Sequence, residues 1–185
     1  MARLVGEDFS VLFTGFEHTA WRLETRDEYS IGEEATAYRQ YVAGEKVDAL
    51  DWFWPWLDTM RAAVAQGKRI ERVRVVPEPL TEYLRYEAWL CHYNIQAGED
   101  IRYLPRQRAQ ELGLPDSDYW LFDSHRLARL HFDADDHPVA AELIEDPDAI
   151  IRANYYRDLA WHHATPFQTW HLDHKHEIEQ HSAGA

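Results

Sequence analysis

Residues 69–106 read RIERVRVVPEPLTEYLRYEAWLCHYNIQAGEDIRYLPR. In Arg69–Val76, Val73 and Val75 point one way and Arg72 and Arg74 the other, the period-2 signature of a strand. Pro77 and Pro79 stop it. Thr81 caps a helix predicted over Glu82–Gln96, Gly98 ends that helix, and Ile101–Leu104 forms the next strand, closed by Pro105. Strand, helix and strand in this order set a mixed α/β (α+β) class.

Further along, DYWLFDSHRLARLHF at 118–132 reads as an antiparallel hairpin, Tyr119–Phe122 with Leu127–Phe132, turning at Asp123–Arg126. Val139–Ile144 continues it, Asp146 caps a helix reaching His163 with Pro147 in its first turn, and Pro166 separates that helix from a last one over Gln168–Gln180. Upstream, Glu7–Phe16 and Gly32–Ala43 read as helices around an alternating strand, Ala20–Thr25. Asp51–Gln66 is the clearest amphipathic helix, with Phe53, Leu57, Met60 and Val64 on one face and Pro55 in its first turn. A short helix is expected at Gln107–Leu112, and the terminal SAGA as a frayed tail. The expectation is one domain built on a twisted central sheet of five or six strands with packed helices. It divides into a helical N-terminal part (1–67), an α/β core (68–165) and a C-terminal helix with a loose tail (166–185).

Composition narrows the function classes. The 185 residues include eight Trp and ten Tyr and are 45% hydrophobic, ample for a folded core. A net charge of −14 opposes unaided nucleic-acid or anionic-membrane binding; it suits a basic protein partner, such as a DNA-binding regulator, or a cationic small molecule, and equally a solvated acidic surface. A single cysteine, Cys91, and an N-terminus without an apolar signal core point to the cytoplasm.

The runs RVRVVPEPLTEYLRYE, NIQAGEDIRYLPR and WLFDSHRLARLHFD, with WRLETRDEY near the start, resemble an uncharacterised actinobacterial family, domain of unknown function 6879, over about Phe9 to Phe167. That resemblance implies no activity; its association with helix-turn-helix regulators implies a regulatory setting. The element pattern also resembles non-catalytic half-domains of the phospholipase D fold. The His-x-Lys motif of the catalytic members is absent, because none of the eleven histidines has Lys two positions later.

No motif specifies a reaction. The strand ends and the helix between them hold the ligand-site candidates Arg74, Arg85, Glu87, Asn94, Glu99, Arg102 and Asp123, with Trp21, Arg22, Glu24 and Tyr83 as secondary ones. Arg74 and Arg102 on neighbouring strands would hold a carboxylate or phosphate of a small anionic ligand bidentately. The structural alternative is an internal ion-pair network of Arg72, Arg74 and Arg102 with Glu87, Glu99 and Asp123. Arg22 and Arg26 are candidates to join those arginines, and Glu24 to pair with one of them at the surface.

Asp123-Ser124-His125 has triad residue types, but adjacent turn residues do not converge as a triad must. Cys91 and His92 diverge by about 100° on a helix. His162, His163, His171, His174, His176 and His181 lack a metal-site pattern, and no metal or cofactor is expected. The Trp-rich DWFWPWL at 51–57 is aromatic enough to bind a flat ligand, but a core segment or a homodimer patch is the expected role. The leading expectation is a non-catalytic ligand- or partner-binding module. The alternative is a small-molecule hydrolase or transferase with Glu87 or Asp123 as base.

Overall fold

Eight strands form one sheet in the order β1-β7-β6-β5-β2-β3-β4-β8 in the computed structural model, which describes residues 2–179. The strands are β1 (Ala2–Leu4), β2 (Thr19–Glu24), β3 (Arg69–Val76), β4 (Asp100–Pro105), β5 (Tyr119–Phe122), β6 (Arg126–Phe132), β7 (Pro138–Ile144) and β8 (Thr165–Pro166). The helices are α1 (Glu7–Gly15), α2 (Ala35–Val42), α3 (Trp54–Ala65), α4 (Glu82–Gln96), α5 (Arg106–Glu111), α6 (Pro147–His163) and α7 (Phe167–Glu179).

The six anticipated strands all form. The sheet is larger than expected because β1 and β8 add one strand at each edge. Three residues and a Thr-Pro pair are too short to show alternation. The ends of α3 and α4 follow their signals. Pro55 lies in the first turn of α3, which therefore starts three residues later than the amphipathic pattern does. The Thr81 hydroxyl accepts the Leu84 N–H at 3.1 Å at the start of α4. The stretch read as one helix from Gly32 begins as a 3₁₀ turn, Gly32–Glu34, before α2. The SAGA tail, His181 and the end of the last helix at Gln180 lie outside the described residues.

β2, β3 and β4 are parallel, and the other pairs are antiparallel. Within the segment 1–67, β2 sits between β5 and β3 at the middle of the sheet. One face carries α1 to α4. There Phe13, Leu57, Met60, Tyr86 and Leu90 pack on Ala20, Ile70, Trp120 and Phe122, each large side chain contributing about 1.5–3 kcal/mol by burial. Farther along the same side, Ile101 and Tyr103 meet Leu84, Cys91 and Trp170 of α7. The other face carries α5 and α6, where Ala109, Ala153 and Ala160 lie against Trp21, Leu23, Val73, Val75 and Leu121.

Gly98 ends α4 with φ +99°, and an added Cβ would stand 2.9 Å from Val64 Cγ1 of α3. Backbone strain and a clash with a stiff β-branched side chain act together. Gly98→Ala is expected to cost about 1–3 kcal/mol in urea unfolding; an unchanged midpoint would contradict the packing described.

Candidate functional site

Parallel pairing of β2 with β3 sets Arg22 opposite Arg72 and Glu24 opposite Arg74. Alternation turns all four side chains toward α2–α4, while Trp21 and Val73 face α6. The charges are therefore buried beneath helices, where each needs a partner.

Glu24 is the hub. Its Oε1 receives Arg72 Nη1 at 2.8 Å and lies 3.1 Å from Arg22 Nε, and its Oε2 receives Arg74 Nε at 2.6 Å. Around this hub, Arg72 Nη2 reaches Glu99 at 3.0 Å, Arg74 Nη2 reaches Glu87 at 2.6 Å, and Arg22 Nη2 reaches Asp118 at 3.3 Å. Asn94 and Trp56 donate to the same Glu99 oxygen at 2.8 and 3.1 Å. The ring of Trp120, opposite Arg22 on β5, lies 5.4 and 5.8 Å from the guanidinium carbons of Arg22 and Arg72. Burial pushes the Glu24 carboxyl up, but Arg72, Arg74 and Arg22 outweigh it and hold the group below the usual carboxylate range.

Above this floor opens a cavity of about 280 Å³. Its walls are aromatic, from Tyr29, Trp52, Phe53, Trp56 and Tyr83, and Glu34 and Glu87 project into it. A second cavity of about 310 Å³ adjoins it, and the two share Tyr29, Ile31, Glu34 and Tyr83. Glu34, only 3% exposed, stands between them and accepts the Tyr83 hydroxyl at 2.6 Å. No ion pair reaches it among the described residues. Burial, reinforced by Glu87, pushes its carboxyl up to about 8. Burial also raises Glu87, against the opposing pull of Arg74.

The structure brings together Arg74, Glu87, Asn94 and Glu99, with Arg22, Glu24 and Tyr83 from the secondary group, and separates the rest. Arg102 is on a neighbouring strand as expected, but β4 pairs Val73 with Arg102 and Arg74 with Tyr103. One residue of register puts Arg102 on the opposite face, 3.8 Å over the Trp161 ring and bonded to the Trp161 carbonyl. The expected Arg74–Arg102 clamp is therefore not formed. Trp21 is core, packed on Tyr119, and Arg85 lies outside the cavity lining. Arg26 pairs with Asp136 and covers Phe132 rather than joining the cluster. Glu24, anticipated at the surface, is the buried centre.

Asp123 lies at the far end of β5. Its carboxylate accepts the N–H groups of Glu17, His18 and Thr19 at 2.8, 2.7 and 2.9 Å. Burial would raise its pKa, but these three donors bring it below the ordinary value. Asp123→Ala is expected to cost about 1–3 kcal/mol by leaving those donors without their acceptor, read as a lower urea midpoint. No change would mean that water replaces the carboxylate.

The carboxylate that joins the cluster is Asp118, at the near end of the same strand. It accepts the Thr25 N–H at 2.8 Å and the Tyr29 hydroxyl at 2.6 Å. Its position in GLPDSD reads only as a turn former, and Glu34 carries no sequence signal beyond an acidic pair at a helix start.

The remaining candidates are occupied locally. Burial pushes the Cys91 thiol up to about 12, away from nucleophilic use. His174 stacks on Trp170 at 4.2 Å, and His171 lies against Phe167. Asp133, Asp135 and His137 place donor atoms within 4.8 Å of one another in the exposed β6–β7 turn, where the Asp135 and His137 N–H groups already bond Asp133.

A family model, Domain of unknown function (DUF6879), matches residues 7–172, which include every residue of the ion-pair cluster and both cavities. The chain belongs to the DUF6879 family. The match runs from α1 into α7 and leaves out only β1 among the strands. No curated protein matches the chain. In this DUF6879 member, no described helix is long and apolar enough to cross a membrane.

Proposed function

We propose that the protein is a non-catalytic binding module that takes a small organic molecule in the aromatic-walled cavity above the Glu24 hub. The observation that carries this reading is the contrast between floor and cavity. Arg22, Arg72 and Arg74 are each committed to internal carboxylates, so they position the wall rather than offering a free anion clamp. The open space is bounded by rings, by the paired arginines of the floor and by Glu34 and Glu87, a concave site that combines aromatic walls with convergent polar groups, as ligand sites do. The net charge of −14 is complementary to a basic protein partner, and a single cysteine accords with a cytoplasmic setting.

One observation favours a second reading. A carboxylic acid held protonated near neutrality, as Glu34 is, can donate a proton to a bound substrate, as a hydrolase or transferase requires. Native mass spectrometry of protein isolated gently from its own cells tests the first reading. A one-to-one small-molecule adduct is expected, lost in Ile31→Trp, which fills the half-buried rim. A bare wild-type mass, or an adduct unaffected by that substitution, would contradict it. Turnover of the captured molecule would select the enzyme reading.

A further inference from the structure

The chemical class of the ligand follows from the charge left unmatched, and this step rests on the cavity being the binding site. Five buried or nearly buried carboxylates, Glu24, Glu34, Glu87, Glu99 and Asp118, meet three guanidiniums, Arg22, Arg72 and Arg74. Four of the carboxylates touch a guanidinium, whereas Glu34 has a phenol as its side-chain hydrogen-bond partner. It also faces both cavities, and Tyr29, Tyr83, Tyr38 and Trp56 line the space around it. Exposed Glu28 and Glu33 lie at the rims.

We infer that the cavity takes an organic cation, an ammonium carrying an apolar or aromatic group, with its charge at Glu34 among the tyrosine and tryptophan rings. Rings attract a desolvated cation through their quadrupoles, and a carboxylate supplies the opposite charge. An anion would meet Glu34 and Glu87 across the same space, and the lining guanidiniums of Arg22, Arg72 and Arg74 are already held by carboxylates. In the free protein a proton occupies the position the cation takes, which accords with the raised Glu34 carboxyl. Cation binding therefore displaces that proton and strengthens as pH rises toward 8.5. The charged and titratable groups around Glu34 among the described residues are Glu87, Tyr83 and Tyr86 of α4, Arg74 of β3, Tyr38 of α2, and Glu28, Tyr29 and Glu33 of the segment before α2, with His137 at the rim of the second cavity. Burial holds Tyr83 and Tyr86 well above their usual values, so neither phenol titrates in this range.

Isothermal titration with benzyltrimethylammonium, benzyl alcohol and phenylacetate tests the inference. The quaternary cation has a fixed charge, so its pH dependence belongs to the protein. At pH 8.5 it is expected to bind at least tenfold more tightly than the other two. That advantage is expected to fall by about tenfold or more at pH 6.5 and to disappear in Glu34→Gln, with benzyl alcohol unaffected. Binding of phenylacetate or benzyl alcohol equal to or tighter than the cation would overturn the ligand class while leaving the cavity as the site. Cation binding unchanged in Glu34→Gln would overturn Glu34 as its position. Binding of none of the three would overturn the cavity reading as well.

Discussion

Glu24→Gln is expected to lower the unfolding free energy by about 3–5 kcal/mol, the usual cost of breaking one side of a buried ion pair. The amide is nearly the same shape, so the loss isolates charge and hydrogen bonding from packing. Both carboxylate oxygens receive guanidinium N–H groups, Oε1 from Arg72 and Oε2 from Arg74. Either orientation of the amide therefore sets an NH₂ against an N–H donor, and three buried cations lose their shared anion. The carboxyl is held below its ordinary range when folded, so its contribution is complete above that range and declines as pH falls toward the folded value. The gap between wild type and Glu24→Gln should accordingly narrow below about pH 4. Urea unfolding at pH 7 with unchanged slope measures it. A loss under about 1 kcal/mol would mean that Glu24 is not the buried hub of the three guanidiniums.

Glu34→Gln is expected to act in the opposite direction. A carboxyl pushed from its ordinary value up to about 8 binds more protons folded than unfolded between those limits, so the native state loses stability as pH rises through that window. The glutamine keeps the shape and carries no charge. It should leave stability at pH 4 unchanged and raise it at pH 8.5 by several kcal/mol, on the order of 3. Thermal unfolding of both proteins across that range is the check. Parallel pH profiles would show that Glu34 is compensated by a partner. A residue that costs stability in the free protein is placed as a ligand group would be, because occupancy by a cation returns what the empty site loses.

Much of the fold was legible because each central element carries its own signal. β3 and α4 form at the residues that alternation, Thr81 and Gly98 indicate, and α6 starts at the Asp146-Pro147 pair. The same alternation put Arg72 and Arg74 together on one face of β3, and the parallel pairing with β2 turns Arg22 and Glu24 to that same face. What it cannot supply is register. Arg102 has the same local appearance as Arg74, and only the pairing of Val73 with Arg102 sends it to the other side of the sheet. Strand direction hid Asp118 in the same way. β5 runs antiparallel to β2, so its first residues, not its last, reach the end of β2 where Arg22, Thr25 and Tyr29 wait. Glu34 was invisible for a different reason. Its environment comes from α4, β3 and the loop at Tyr29, segments up to about fifty residues away that no local pattern connects.

Glu34 is the carboxylate of this cluster that no ion pair reaches among the described residues. A ¹³C NMR titration of the glutamate side-chain carboxyls, with Glu34→Gln providing the assignment, reads that directly. The predicted result is a single group titrating near 8 in the free protein and moving down when benzyltrimethylammonium saturates the cavity. Titration of Glu34 in the ordinary carboxylate range, unmoved by the cation, would contradict it.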